Sequence, residues 1–208
     1  MAASPSQAKP LAAVILAGGE SRRMGAPKAL LPNRDGKTFV EHLIEVTRHP
    51  RVGITRIVIG AHADEISQKL RDWSSATVVN SKWQQGQLSS IQAGVRSLPA
   101  GETGGMILCP VDHPLISADL VARLIAAFDA SGKQIALPKY RGRRGHPLIF
   151  RSSLYDELLV ASPEIGARQA VWAHSADILE METNVEGVVL NLNDPETLKR
   201  ALENRIGD

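Results

Sequence analysis

A glycine-bounded loop near the N-terminus combines the residue types that bind phosphate. Its glycines and cations are Gly18, Gly19, Gly25, Arg22, Arg23 and Lys28. Glycine tolerates positive φ and lets backbone N–H groups come close to a ligand. Arginine forms bidentate contacts with phosphate oxygens, and lysine supplies a point charge. The loop therefore indicates a phosphate-binding turn, although an ordinary glycine turn with surface cations has the same composition.

Asp112 is the candidate ligand for a divalent cation. It follows the apolar run of residues 105–111 and precedes His113 and Pro114. Mg²⁺ prefers carboxylate oxygens and usually keeps several of its waters. A turn or cap aspartate is the alternative and is favoured by the residue alone, but the phosphate-binding loop and the position after the fourth strand together favour the metal.

The elements that must position these residues alternate between strand and helix. Apolar runs predict strands at residues 12–17, 54–59, 76–79, 105–111, 135–138, 147–150, 178–181 and 188–192. Helical periodicity predicts helices after Thr38 and over residues 64–73, 88–98, 118–128, 152–160, 167–173 and 195–204. This alternation predicts an α/β fold, with a mostly parallel sheet and helices on both faces. Ligands of such sheets lie outside the carboxyl ends of the strands, where the loop and Asp112 fall.

Composition restricts the class of protein. The chain has 208 residues with 24 Lys and Arg against 22 Asp and Glu, so its net charge of +2 does not favour a nucleic-acid partner. No apolar run reaches the ~20 residues of a membrane span. Cys109 is the single cysteine, which favours a reducing, cytoplasmic setting. Residues 1–10 are predicted to be a disordered tail and residues 11–208 a single domain.

The order of residues in the loop resembles a known family signature. Residues 16–28 read L-A-G-G-E-S-R-R-M-G-A-P-K, similar to the L-A-G/A-G-x-S-x-R-M-G-x-x-K motif of the molybdenum cofactor nucleotidyltransferase family. Further matches are N-S-K-W-Q-Q-G-Q-L-S-S at 80–90, V-D-H-P at 111–114, G-H-P at 145–147 and N-L-N-D-P-E at 191–196. The resemblance covers nearly the whole chain. It implies a Rossmann-like fold of the nucleotide-diphosphate-sugar transferase type.

The resemblance also implies a reaction and its participants. A nucleoside monophosphate passes from CTP or GTP to molybdopterin with release of pyrophosphate, Mg²⁺ is the cofactor, and a molybdoenzyme is a possible client. The implied catalytic residues are Arg22, Lys28 and Asp112. The implied nucleotide-binding residues are Leu16, Ala17, Gly18, Gly19, Arg22, Gly25, Lys28, Asn80, Gly86 and Ser89. Asp112 and Asn191 are the implied metal-side residues, with Asn193 as the alternative to Asn191, and Arg144 and His146 would bind the acceptor.

The identity of the base and of the acceptor stays open from the sequence. The L-A-G-G form of the loop and the N-x-N of residues 191–193 resemble guanylyl-type members, whereas the W-x-x-G and G-H-P motifs resemble cytidylyl-type members. One alternative is the same chemistry on a sugar or polyol phosphate. Another is a non-catalytic protein that binds nucleotide or molybdenum cofactor. A nicotinamide oxidoreductase is disfavoured because the G-x-G-x-x-G fingerprint is absent.

Overall fold

The computed structural model describes residues 8–203, which are organised around one β-sheet. Its strands are β1 (Leu11–Ala17), β2 (Val52–Ile59), β3 (Thr77–Val79), β4 (Gly105–Pro110), β5 (Ile135–Tyr140), β6 (Arg143–Arg144), β7 (Leu148–Arg151) and β8 (Ile178–Glu182). The order across the sheet is β3-β2-β1-β4-β7-β5-β6, and β8 pairs with β5 outside this path. The first strand of the chain therefore lies inside the sheet, between β2 and β4.

The sheet is parallel around β1 and mixed beyond β4. In the described part of the chain, four strand pairings are parallel, and three, all involving β6 or β7, are antiparallel. The chain returns from β5 through β6 to β7 in a few residues. A parallel connection needs a dozen or more residues, so this return has to be antiparallel. The predicted α/β class and mostly parallel sheet are confirmed, and the short connection explains the antiparallel part.

Helices cover both faces of the sheet, as predicted. They are α1 (Phe39–Val46), α2 (Ala63–Lys69), α3 (Gln87–Arg96), α4 (Ala118–Ser131), α5 (Tyr155–Val160), α6 (Arg168–Ala173) and α7 (Pro195–Glu203). Side chains alternate along β1: Leu11 and Ile15 pack in the core beside α1 and α4, whereas Val14 and Leu16 pack in the core beside α3 and α5. No helix in residues 8–203 combines the length and the apolar character needed to cross a bilayer.

The start of α1 agrees with its sequence pattern. The Thr38 side chain accepts a hydrogen bond from the Glu41 N–H, and the Glu41 carboxylate accepts one from the Thr38 N–H at 2.8 Å. This reciprocal pair is a capping box, and it satisfies two N–H groups that would otherwise lack partners.

Two of the predicted elements are wrong in type or length. Residues 188–192 do not form a strand, because Glu186–Val188 is a 3-10 turn and the backbone beyond it is irregular. The apolar side chains of Val188 and Leu192 are buried in the core without any strand pairing, which explains the misleading apolar run. The helix predicted over residues 64–73 ends at Lys69 and is followed by a 3-10 segment, Arg71–Ala76.

The predicted N-terminal tail lies mostly outside the described residues. Within residues 8–203, Arg51 donates hydrogen bonds to the carbonyls of Ala8 and Lys9, and the Gly104 N–H donates to the Pro10 carbonyl. The last three residues of the predicted tail are therefore held against the domain. Disorder of residues 1–7 stays a prediction.

Candidate active site

The loop after β1 and the residues after β4 line one cavity. Leu16 lies opposite Pro110 in register, and the Val111 N–H donates to the Leu16 carbonyl at 3.0 Å. The loop and Asp112 therefore begin side by side at the carboxyl edge of the sheet, as expected. The cavity has a volume of about 490 Å³. The predicted site residues that line it are Leu16, Ala17, Gly18, Gly19, Arg22, Lys28, Gly86 and Asp112.

Left-handed backbone conformations fold the loop into a tight turn. Ser21 has φ 56°, and the 3-10 turn Arg22–Met24 that follows it ends at Gly25 with φ 68°. The Lys28 N–H donates to Ser21 Oγ at 3.0 Å, which closes the turn. Among the described residues the Gly19 N–H donates to no protein group. It is available to an anion, as a phosphate-binding turn requires.

Arg22 is an exposed cation that already has a counter-charge. Its Nε lies 2.7 Å from Glu20 Oε2, and its side chain is 81% exposed. Exposed ion pairs contribute at most about 1 kcal/mol. Exchanging Glu20 for a substrate phosphate as the partner of Arg22 would therefore cost little free energy.

Lys28 and Asp112 bring opposite charges to the same cavity. Lys28 is half-buried, and burial lowers its pKa, an effect that the negative charge of Asp112 partly opposes. Its Nζ donates a hydrogen bond to Asn193 Oδ1. The Leu192 N–H donates to the Asp112 carbonyl at 2.8 Å. The C-terminal segment thus contacts both charged residues, which lie far apart in the sequence.

Asp112 has the unsatisfied oxygen that a cation requires. Within the described residues Asp112 Oδ1 is buried and has no hydrogen-bond partner. A buried carboxylate oxygen without a partner is costly, so a bound cation would stabilise it. The described residues contain no cluster of three or more His, Cys, Asp or Glu arranged for a metal ion. A metal at Asp112 would therefore take most of its other ligands from substrate phosphate and water.

The predicted metal-side asparagines occupy different positions. Asn191 is exposed and does not line the cavity, and its carbonyl accepts from the Asn193 N–H. Asn193 is partly buried and its side chain binds Lys28. The assignment of Asn191 as a metal ligand stays a prediction, whereas the amide of Asn193 already has a partner.

Asn80 and Ser89 form a buried brace behind the cavity wall. Asn80 Nδ2 donates to Ser89 Oγ at 2.8 Å and to Ser90 Oγ at 3.1 Å, while Asn80 Oδ1 accepts from the Lys82 N–H. Ser89 Oγ lies within hydrogen-bond distance of the carbonyls of Lys82 and Gly86. Both side chains are engaged within the protein and neither lines the cavity, so their contact with nucleotide stays a prediction, as does that of Gly25.

Sequence analysis missed Ser90 as a cavity-lining residue. Ser90 lines the cavity, and a Cβ at Gly18 would lie 3.1 Å from its Oγ. A Cβ at Gly60 would lie 2.6 Å from the Gly18 carbonyl oxygen and from the Trp83 Cβ. The glycine at position 60 therefore lets both Trp83 and the Gly18 carbonyl pack closely against the backbone that follows β2. The Ser-Ser pair was visible in the sequence, but the helix register that turns Ser90 toward the cavity was not.

The two predicted acceptor residues lie away from the cavity wall. Arg144 donates to Glu180 at 2.7 Å, and Lys139 donates to the same carboxylate at 2.6 Å; these hydrogen bonds lower the pKa of Glu180. The His146 ring packs against the His113 ring with centroids 4.3 Å apart. Burial, reinforced by His113, lowers the pKa of His146 to about 3. Arg144 is thus already paired, and His146 is a neutral ring near neutral pH.

The chain is similar to known proteins over most of its length. Residues 13–178 match the family described as the MobA-like NTP transferase domain. The chain is 30% identical over 192 residues to the molybdenum cofactor guanylyltransferase of Shewanella sp. (strain ANA-3), covering 90% of this chain and 93% of the relative. It is 32% identical over 163 residues to the nicotine blue oxidoreductase of Paenarthrobacter nicotinovorans, covering 74% of this chain and 78% of that relative.

A solved structure shares the fold over nearly the whole chain. It is the crystal structure of Rv0371C in complex with manganese from Mycobacterium tuberculosis H37Rv, with a TM-score of 0.72 and 21% identity. The alignment covers 95% of this chain and 100% of that one. The likeness confirms the Rossmann-like fold of the nucleotidyltransferases. Because the family model matches most of the chain, this protein belongs to the MobA-like NTP transferase domain family and is a nucleotidyltransferase.

Proposed function

We propose that this protein transfers GMP from GTP to the phosphate of molybdopterin and releases pyrophosphate. The observation that carries the proposal is the shared cavity, lined by the loop after β1 and by Asp112 with its unpartnered buried oxygen. GTP is favoured over CTP by the L-A-G-G form of the loop and by the name of the Shewanella relative. The acceptor phosphate oxygen bonds to the α-phosphorus, and the bond from that phosphorus to the bridging oxygen of the β-phosphate breaks.

Mg²⁺ is proposed as the cofactor, with Asp112 as its protein ligand. When bound, the ion would neutralise charge on the triphosphate as the reaction proceeds. The Mycobacterium protein of the same fold was crystallised in complex with manganese, which supports a divalent ion of this size and charge. Asp112 would also orient the ion relative to the loop, because its backbone is held by the Leu192 N–H.

The chain's own cations would position the triphosphate. The free Gly19 N–H and the Arg22 guanidinium would contact phosphate oxygens, and Lys28 would stabilise the charge of the leaving pyrophosphate. Lys28 must exchange its bond to Asn193 for a phosphate oxygen, which keeps the ammonium paired throughout. Positioning and charge neutralisation would then account for most of the catalysis.

A protein general base is unnecessary for this reaction. A phosphate monoester has a second pKa near ~6 and is largely dianionic at pH 7, so it attacks without losing a proton. The carboxylates that line the cavity are Glu20 and Asp112, and Glu20 is paired with Arg22. Arg144 and His146 are proposed to border the acceptor, a cytoplasmic setting is proposed from the single cysteine, and a molybdoenzyme is the proposed client.

A panel of nucleotides and acceptors tests the proposal. The purified protein is incubated with Mg²⁺, each NTP, and either molybdopterin or a set of sugar and polyol phosphates, followed by pyrophosphate release and product mass. Molybdopterin guanine dinucleotide is expected with GTP. Transfer to a sugar phosphate would replace the proposed acceptor. Nucleotide binding without pyrophosphate release from any base would contradict the proposal and favour a binding role.

One variant and one additional assay test whether the activity depends on Asp112 and whether it is nucleotidyl transfer. Asp112→Asn keeps the shape of the side chain but removes its charge, so it should lose at least about a hundredfold in rate. An assay with NADH and a quinonoid dye is included because the Paenarthrobacter relative is named an oxidoreductase. Reduction of the dye without nucleotidyl transfer would overturn the assignment of substrates.

A further inference from the structure

The loop after β1 has its carbonyl groups bonded within the protein and a run of its N–H groups free. The engaged carbonyls are those of Gly18, Glu20 and Ser21, and their partners are the Ala61 N–H, His62 Nε2 and the Met24 N–H, at 3.1, 3.0 and 2.8 Å respectively. None of residues 8–203 accepts a hydrogen bond from the N–H groups of Ser21, Arg22 or Arg23. Successive free N–H groups in a turn form a concavity that binds anions.

Ser21 has the backbone conformation on which this turn depends. Its φ of 56° and ψ of 28° lie in the left-handed region, and the 3-10 turn Arg22–Met24 begins at the next residue. A left-handed residue beside a right-handed one brings successive N–H groups together. A residue with a Cβ is uncommon in this region, and glycine adopts it at lower cost. The serine at this position is therefore kept at a cost that its side chain has to offset.

The Ser21 side chain connects the two ends of the loop. Its Oγ accepts a hydrogen bond from the Lys28 N–H at 3.0 Å, across seven residues of sequence. Both residues line the cavity. The bond fixes the backbone of the half-buried lysine beside the turn that presents the free N–H groups. A glycine would allow the same turn but could not form this bond.

We infer that Ser21 is a positioning residue whose hydroxyl holds Lys28 and the free N–H groups of the turn in one arrangement, so that both contact the same triphosphate. The inference rests on the proposed function, because it takes a triphosphate as the ligand of the loop. Its side chain acts through Lys28 and not by contact with the reacting atoms. The left-handed serine therefore exchanges some stability of the fold for order in the site.

Two substitutions separate the hydroxyl from the backbone conformation. Ser21→Ala removes Oγ and keeps a Cβ at positive φ, whereas Ser21→Gly removes both. Alanine is disfavoured relative to glycine at positive φ, so the glycine variant should melt roughly 2–4 °C above the alanine variant. Both variants lack the acceptor for the Lys28 N–H, and glycine also loosens the turn. Affinity for the triphosphate should therefore fall in both, and no less in the glycine variant.

Binding of inorganic triphosphate in the presence of Mg²⁺ measures the loop without a base or an acceptor. By calorimetric titration, both variants should bind it at least about threefold more weakly than wild type, as expected for the loss of one hydrogen bond. The glycine variant should thus be the more stable of the two without being the tighter binder. A structural role alone would give the same order in both measurements, because affinity would then follow the fraction of intact turns.

Ser117→Ala is the matched control. Ser117 Oγ accepts a backbone hydrogen bond from the Leu120 N–H at 3.2 Å, and Ser117 does not line the cavity. This variant should lower the melting temperature and leave triphosphate affinity unchanged. A second comparison repeats Ser21→Ala in a Lys28→Met background. Since the hydroxyl acts through Lys28, its removal should cost less affinity there than in the wild-type background.

Several outcomes would overturn the inference. They are a loss of less than about threefold in either Ser21 variant, tighter binding by the glycine than by the alanine variant, a glycine variant that melts no higher than the alanine variant, an equal cost of Ser21→Ala in both backgrounds, or no binding of triphosphate by wild type. The nucleotide panel fails or succeeds separately. If no nucleotide is transferred but the variants divide as described, the proposed function falls while the positioning of Lys28 by Ser21 stands.

Discussion

Lys28, in the role proposed for it, shows at the level of one residue how a side chain can be ordered for a charged substrate. Its ammonium is half-buried beside Asp112 and bonded to Asn193, so it would already be ordered when the proposed phosphate group binds. Burial weakens competition from water and strengthens the interaction of the ammonium with a phosphate oxygen. The same burial favours its neutral form, and the charge of Asp112 opposes that tendency.

Replacement of Lys28 tests this view. Lys28→Met keeps a chain of similar length and removes the charge, so the rate constant for nucleotidyl transfer should fall about 10²–10³-fold. Lys82→Met is the matched control, because Lys82 is exposed and does not line the cavity. The measurement is steady-state kinetics at saturating GTP and Mg²⁺. A Lys28→Met rate within threefold of wild type would remove Lys28 from the mechanism.

His146 makes the stability of the fold depend on pH. Its pKa is about 3 in the folded protein and about 6.5 in an unfolded chain. Between these values the unfolded state binds the extra proton, so the free energy of unfolding falls as the pH falls from 6.5 toward 3. From pH 7.5 to 5.0 this one group accounts for a loss of up to about 2 kcal/mol.

The comparison that checks this loss uses His146→Phe. Urea unfolding at pH 7.5 and pH 5.0 should show a smaller acid loss in the variant than in wild type. Some acid loss should persist, because the pKa of His113 is lowered as well. An equal loss in the two proteins would show that His146 titrates normally.

The sequence indicated which residues meet at the site but not which of them are already engaged. Spacing and residue type identified the glycine loop and Asp112, because strand ends converge at one edge of a parallel sheet. The pairing of Arg144 with Glu180 and of Asn80 with Ser89 depends on contacts over 36 and nine residues of sequence. Nothing in a linear pattern indicates such partners, so the sequence overstates how available these side chains are to ligands.

Among the secondary-structure elements, the close packing of α3 against β1 depends on one glycine. A Cβ at Gly94 would lie 2.6 Å from Val14 Cγ1, closer than such atoms approach in real structures. The absence of a side chain at Gly94 therefore lets the helix approach β1 closely. That approach also places the start of α3, with Gly86 and Ser90, at the cavity wall.

A double-mutant cycle tests this contact. Gly94→Ala should destabilise the protein by about 1–3 kcal/mol through overpacking, despite the better helix propensity of alanine. Val14→Ala removes the methyl group that blocks the new Cβ, so the double variant should be more stable than the sum of the two changes predicts. Urea unfolding measures each free energy. A Gly94→Ala variant more stable than wild type would show that the helix shifts freely.

Elements with local signals were predicted more reliably than those defined by distant contacts. The capping box of Thr38 and Glu41 is a short-range pattern, and it is present in the structure as expected. Residues 188–192 have the composition of a strand, but their backbone bonds go to two different loops. The Val188 carbonyl accepts from the His146 N–H, and the Leu192 N–H donates to Asp112. A buried apolar run alone does not distinguish these two arrangements.

At the scale of the whole molecule, one sheet connects both core layers. The strands from β3 to β6 are continuous, and alternate side chains of β1 enter the two clusters on opposite faces. Loss of either layer would therefore expose the other face of the same strands. This is the physical basis for the proposal that residues 11–208 form a single domain.

Calorimetry tests the single-domain proposal. One transition is expected, with a calorimetric enthalpy close to the van't Hoff enthalpy, as for a cooperative two-state protein. Circular dichroism and tryptophan fluorescence should report the same midpoint. Two resolved transitions, or probes with different midpoints, would show that the layers unfold independently.

The bond between Lys28 and Asn193 has a consequence for synthesis on the ribosome. The loop is translated before Asp112, and the segment that contacts both residues is translated after Asp112. A nascent chain that stops before residue 192 can form β1 and its turn, yet it lacks the Asn193 side chain that binds Lys28 and the Leu192 N–H that donates to the Asp112 carbonyl. Nucleotide capture should therefore begin only after residues 192 and 193 have been translated and have reached the loop, so a shorter nascent chain should not bind nucleotide.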